Sequence, residues 1–199
     1  MARALIMPLN PSSFIKINVI DTCSVWNVLS SRLLLRAAQT AKCVFCCTAY
    51  VQYECLDKPR NNISVNEEEL KTLLKQEQSQ GHFAVHHLDI NDLLDVEVLQ
   101  ERMNLGKGEL SSIAFARRTR QGFLTDDQGA RSLAAISLGE SNVQTIPQLF
   151  GWLIYERYLT DSDKDKVIEQ HINFDRPLKE YFEIMYQRAL EMRLMKTHA

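Results

Sequence analysis

The chain has no long apolar run. Ala4-Leu5-Ile6-Met7 is too short for the core of a signal peptide, and no segment approaches the roughly 20 apolar residues of a membrane span. The expectation is a cytoplasmic protein with no membrane association. It also lacks an excess of positive charge: 23 Lys and Arg stand against 25 Asp and Glu, giving a net charge of −2. That excludes a passive nucleic-acid coat, yet it allows an enzyme with a local basic patch. Cysteine is sparse and odd in number, with five residues at 23, 43, 46, 47 and 55, a pattern of buried free thiols in a reducing compartment. Cys43 and Cys46 have the spacing of a zinc knuckle, but no second pair follows and strand alternation sends them to opposite faces. Internal repeats and low-complexity segments are missing too.

What remains is ordinary globular composition, 45% hydrophobic and 24% charged over 199 residues, enough for one domain and an appended helical element. Ile15–Ile20 alternates β-branched and polar residues and predicts a strand that ends on Asp21. Val25, Val28, Leu29 and Leu33 then recur at helical spacing, predicting one helix over Ser24–Ala38. Cys43–Cys47 reads as a second strand, and Thr48 starts a short helix that carries Tyr53 and Glu54 and stops near Pro59. Ser64-Val65-Asn66-Glu67 has the capping-box pattern and opens a charged helix that runs to Gln80. Phe83–Leu88 is a third strand, and Asp89–Met103 is one helix or two. Gly106 and Gly108 introduce a helix over Glu109–Arg120. Gly122–Thr125 is a fourth strand, Ala130–Leu138 a helix and Val143–Ile146 a fifth strand.

This alternation predicts an α/β domain over residues 12–150, with a mostly parallel five-stranded sheet flanked by helices. From Pro147 onward the sequence is helical in character, over Pro147–Leu159, Asp161–Gln170 and Arg176–Leu194. The last of these places Leu178, Phe182, Met185, Tyr186 and Leu190 on one face. Residues 151–199 are therefore expected to be a helical extension that packs on the domain or on a partner.

Four short stretches place an acid where a strand ends or a helix begins: Ile20-Asp21-Thr22-Cys23-Ser24, Tyr53-Glu54-Cys55-Leu56, Gly106-Lys107-Gly108-Glu109-Leu110 and Leu124-Thr125-Asp126-Asp127. A parallel sheet gathers such acids at the carboxyl ends of its strands. Converging carboxylates repel one another unless a cation lies between them, and oxygen ligands alone select Mg²⁺ or Mn²⁺. The pattern points to a metal-dependent phosphodiesterase. Each acid also has a plain structural role open to it. Asp21 can cap the following helix, Glu54 can pair with Lys58 or Arg60, Glu109 suits a helix amino terminus, and Asp126 or Asp127 can start a turn. Which of Asp126 and Asp127 faces the crevice stays open. Thr22, Ser24, Ser112 and Thr125 are the hydroxyls placed to support the acids. The histidines offer no rival metal site: His86 and His87 face opposite sides of a strand, and His82, His171 and His198 have no motif around them.

In this order the four stretches resemble the PIN-domain nucleases, and in particular the PIN toxins of type II toxin–antitoxin pairs. The likeness spans roughly residues 15–150. It rests on Asp21-Thr22-Cys23-Ser24, on Glu54, on Gly106–Ala116, and on Leu124-Thr125-Asp126-Asp127-Gln128-Gly129-Ala130-Arg131. The resemblance implies a PIN-like (Rossmann-like) sheet sandwiched by helices, a pocket holding one or two Mg²⁺ or Mn²⁺ ions, and hydrolysis of single-stranded RNA. Asp21 and Glu109 are the expected direct ligands. Asp126 and Asp127 would divide ligation and water orientation between them, and Glu54 would support the site or hold a second ion. Lys107, Arg117, Arg118, Arg120 and Arg131 are candidate contacts to the phosphate backbone, although Arg117, Arg118 and Arg120 equally suit a solvated helix end. An antitoxin protein and a second copy of the chain are possible partners. The chain exceeds a minimal PIN toxin by its helical extension. The competing readings are a catalytically silent PIN-like module that binds RNA or protein, and a DNA-directed nuclease. Receiver and haloacid-phosphatase arrangements fit worse, since Cys23 stands where they carry a second acid.

Overall fold

Ile17–Ile20 forms β1, the middle strand of a five-stranded sheet ordered β3-β2-β1-β4-β5. The computed structural model describes residues 10–60 and 62–197, so the Ala4–Met7 run and His198 lie outside the described residues. β2 (Val44–Thr48), β3 (Ala84–His86), β4 (Gly122–Leu124) and β5 (Val143–Gln144) complete the sheet, and every pairing is parallel. Strand order reverses between β1 and β4, which opens a crevice at the carboxyl ends of these two strands.

Alternation along the strands builds two cores. Val19, Cys46, Phe123 and Val143 pack under α5 (Ile90–Arg102), α6 (Lys107–Thr119) and α7 (Gln128–Leu138). On the opposite face, Ile20, Phe45, Cys47 and Leu124 pack under α1 (Thr22–Leu29), α2 (Arg32–Thr40) and α4 (Val65–Ser79). The same core takes in α8 (Ile146–Tyr155), α9 (Asp163–Asn173) and α10 (Lys179–Thr197). Cys43 and Cys46 fall in different cores, and all five cysteines are free, in keeping with the argument against a zinc knuckle.

The single helix expected over Ser24–Ala38 is two helices. Ser30 donates its hydroxyl back to the Trp26 carbonyl, and Ser31 turns extended and caps α2 by accepting from the Leu34 N–H at 3.1 Å. The short helix after β2, α3 (Ala49–Gln52), runs into a π-helical turn over Tyr53–Asp57. Asp89–Met103 resolves to one helix, α5, started by a full capping box in which Asp89 and Asp92 satisfy each other's N–H groups. The fifth strand is shorter than expected because Thr145 accepts from the Gln148 N–H and so starts α8.

The C-terminal helices pack on the chain's own core. Phe150 and Phe182 meet with ring centroids 5.0 Å apart, and Met185 lies against the bare backbone of Gly151. The boundary expected at residue 150 falls inside α8. No described helix is long and apolar enough to cross a membrane.

Candidate active site

The register of β1 and β4 sets Ile20 beside Leu124, so the next residues, Asp21 and Thr125, leave the sheet together at the crossover. Asp21 is 1% exposed. Its Oδ1 accepts the Ser24 N–H at 2.8 Å, capping α1, and its Oδ2 accepts a short hydrogen bond from the Thr125 hydroxyl. Thr125 Oγ1 in turn accepts the Asp127 N–H at 3.2 Å, so one hydroxyl links the ends of two strands to the following turn. Ser24 thus supports Asp21 through its backbone.

The two adjacent acids after β4 separate in role. Asp126 is committed on both oxygens: Asn27 Nδ2 donates to Oδ2 at 2.7 Å and the Ile146 N–H donates to Oδ1 at 3.0 Å. It therefore ties β4 to α1 and α8. Asp127 is exposed and caps α7 through Oδ1, which accepts the Ala130 N–H at 2.7 Å, while its second oxygen has no hydrogen bond among the described residues.

Glu54 lies in the π-helical turn, a rare geometry that recurs at functional sites. The Thr22 hydroxyl donates to its Oε2 at 2.5 Å, joining it to the residue after Asp21. Its carboxylate rests directly on Gly108, where a Cβ would collide with Oε2. Glycine at this position in the first turn of α6 is what lets Glu54 reach the site. Glu109 follows in the same turn and folds back over Gly106, and its Oε2 is buried with no hydrogen-bond partner among the described residues. Ser111 and Ser112 both donate to the Gly108 carbonyl, at 2.9 and 2.8 Å, and Ser111 also meets the Thr48 hydroxyl at 2.7 Å. Ser112 thus supports the backbone under Glu54 and Glu109.

Burial dominates the electrostatics of these acids. Burial pushes the Asp21 carboxyl up to about 7, against the pull of the Thr125 hydroxyl and the Ser24 N–H, and Asp126 pushes the same way. Burial also raises Asp126, opposed by Asn27, the Ile146 N–H and Arg131. Glu109 is raised by burial first, then by the charges of Glu54 and Asp127. Each group is held above its ordinary range chiefly because burial disfavours its charged form.

A cation is the natural counterweight. The donors are all oxygens, which suits Mg²⁺ or Mn²⁺, and Glu109 Oε2 is a buried acceptor without a well-formed hydrogen bond, though the N–H groups of Glu109 and Gly106 pull on its carboxyl. The bonded oxygens of Asp21 and Asp127 each keep a second lone pair, so their hydrogen bonds orient them without exhausting them. Among the described residues, no group of three or more His, Cys, Asp or Glu side chains is arranged so that it could hold a metal ion. The residues fit a hard cation in kind.

Of the expected basic contacts, Lys107 flanks the pocket, its Nζ 5.9 Å from the centroid of the Tyr50 ring, and Arg131 acts on Asp126 from α7. Arg117 and Arg118 lie at the far end of α6, roughly 12–14 Å along the helix from Glu109. There they pair with Asp95 at 3.4 Å and Asp92 at 2.7 Å. Arg120, left-handed with φ 54°, ends that helix at the same far side. His171 is buried, its ring nitrogens 2.8 Å from the Val167 and Asn27 carbonyls. Asn27 and Thr48 support the site but carry no signal in the sequence, because only the folded chain brings them to Asp126 and Ser111.

Fold and site together define an α/β protein with acidic side chains at the crossover of a parallel sheet. No family model matches the chain, and no curated protein or solved structure matches it.

Proposed function

We propose that the chain is a metal-dependent endonuclease that hydrolyses RNA phosphodiester bonds. The observation that carries this reading is Glu109 Oε2, a buried carboxylate oxygen without a partner, beside other acids whose charge the site resists. Asp21, Glu109 and Asp127 would hold a Mg²⁺ or Mn²⁺ ion. Asp126, whose bonds to Asn27 and the Ile146 N–H tie β4 to α1 and α8, would brace the walls of the pocket and, like Asp21, keep a lone pair free on each oxygen. Such a cation acidifies an attacking water and stabilises the leaving oxygen of an in-line displacement. The chain's own part is to hold the acids in place, with Asp21 and Glu109 raised by burial so that a cation favours their charged forms. Glu54, fixed by Thr22 and Gly108, is the group positioned to take the proton of the attacking water.

RNA as the polymer, and a toxin held by a cognate antitoxin as the setting, are supported by the resemblance of Asp21–Arg131 to the PIN toxins. The test is cleavage of single-stranded RNA, structured RNA and single-stranded DNA by purified protein in Mg²⁺, Mn²⁺ or EDTA, with Asp21→Asn and Glu109→Gln alongside. Cutting of RNA that needs the cation and is lost in both variants is the expected result. Cutting that survives both substitutions contradicts the assignment of the pocket. A preference for DNA moves the proposal to the other polymer. Well-folded protein that neither cuts nor binds a cation favours the silent binding module.

A further inference from the structure

Arg176 lies in the short link between α9 and α10, far in sequence from the acids. Its backbone N–H donates to the His171 carbonyl at 2.9 Å, which anchors it at the end of α9. Its side-chain Nε is buried and has no hydrogen-bond partner among the described residues. A buried guanidinium nitrogen without an acceptor is costly, so it calls for a reason.

The surroundings of Arg176 supply one. Cys23, two residues after Asp21 at the start of α1, lies within its electrostatic reach, as do Glu67, Asp175 and Arg60. Arg60 belongs to the same rim. Its Nη2 donates to the Glu54 carbonyl at 3.0 Å, and its Nη1 pairs with Glu67. Glu67 is also 4.0 Å from Lys71, so one carboxylate serves several cations. Asp175 spends an oxygen on Asn66, whose Nδ2 donates to it at 3.4 Å. Arg60 and Lys71 both pair with Glu67, and Asp175 already accepts from Asn66, so neither acid is left to Arg176 alone. Burial lowers the pKa of Arg176, against the pull of Cys23, Asp175 and Glu67.

We propose that Arg176 binds a phosphate of the substrate strand on the rim between Cys23 and Glu54, with Arg60 adding only its charge from its bonds to Glu54 and Glu67, so that the C-terminal helices supply part of the active site. This rests on the nuclease reading given above, and it extends the site beyond the stretches that resemble PIN nucleases. Lys107 stands by Gly108, on which Glu54 rests, so a strand held by Arg60 and Arg176 at one end and Lys107 at the other would cross the acids. A planar fork suits this task, because a guanidinium can donate two parallel hydrogen bonds to a phosphate.

The test measures binding of a short, fluorescently labelled single-stranded RNA to Asp21→Asn protein across a salt series, with Arg176→Ala and Arg176→Lys added in turn. Arg176→Ala is expected to weaken binding about five-fold near 0.1 M salt and to flatten the dependence of log K on log salt by about 0.7, the share of one phosphate contact on a single strand. Arg176→Lys is expected to restore the slope and only part of the affinity. The melting temperature of both should stay within a few degrees of the parent, since each removes a half-buried guanidinium whose Nε has no acceptor. Unchanged affinity and slope in Arg176→Ala overturn the proposal, as does a fall in melting temperature that accounts for the loss. The two readings fail separately. If the native-sequence protein cuts RNA and Arg176→Ala leaves KM unchanged, only the phosphate contact falls. If RNA is bound through Arg176 but never cut, only the nuclease falls.

Discussion

Asp21 concentrates the tension of the pocket in one side chain, because its carboxyl is buried, raised to about 7 and bonded only by the Thr125 hydroxyl and the Ser24 N–H. The folded value lies above the unfolded one, so the protonated acid stabilises the fold. That contribution is complete below the ordinary pKa near 4 and is lost as pH rises through about 7. Metal-free protein is therefore expected to lose melting temperature between about pH 4 and 7, the window between the unfolded and folded values, and Mn²⁺ should restore it. Asp21→Asn should be more stable than the native sequence at the upper end of that window in EDTA, by an amount on the order of a few kcal/mol, while showing no cutting. Thermal melts across pH check both points, and a pH-independent melt would contradict the burial argument. Asn27→Ala removes a hydrogen bond from Asp126 and should cost about 10–100-fold in metal affinity or activity, as losses of supporting contacts generally do. Gly108→Ala would displace Glu54, and is expected to reduce cleavage while leaving α6 intact in circular dichroism. The acids themselves were legible in sequence because each sits at a change of periodicity. Asn27 and Arg176 were not, since their relevance arises from contacts with residues far away in the chain.

At the level of elements, the alternation of strands and helices carried the reading, and local side-chain chemistry set its errors. Apolar spacing continues from Val25 to Leu33 across the break at Ser30 and Ser31, so periodicity alone hides the two serine hydroxyls that divide α1 from α2. The π-helical turn at Glu54 is likewise invisible to a pattern built on 3.6 residues per turn. Arg117 and Arg118 show a further limit. Their nearness to Glu109 in sequence becomes separation along a helix, where α5 offers Asp92 and Asp95 instead. Charge reversal at Arg117, a surface pair, should change stability by about 1 kcal/mol or less and leave RNA affinity near that of the native sequence, as measured by melts and binding. A large loss of RNA affinity would return that helix end to the substrate path.

For the molecule as a whole, the class of fold followed from the order of elements, whereas the strand order 3-2-1-4-5 and the docking of the last helices needed the folded chain. One core runs from Ile20 through Phe150 to Phe182, Met185 and Ala189, so the helical extension is structurally part of the sheet's own layer. Phe182→Ala should cost about 3–5 kcal/mol by emptying a fully buried ring site, read out in chemical denaturation. A chain stopped at residue 150 should fail to give a cooperative unfolding transition, because it loses the partners of Phe150 and cuts through α8.

The central claim is that the acids at the β1–β4 crossover form a cation site. The most direct measurement is titration calorimetry of Mn²⁺ into the native-sequence protein near pH 6.5, in buffers of different ionisation enthalpy. Ligand acids held above their usual pKa must lose protons to bind, so the account expects saturable binding with release of about one proton, abolished by Asp21→Asn. Binding without proton release, binding that survives Asp21→Asn, or the absence of binding by folded protein would each contradict it.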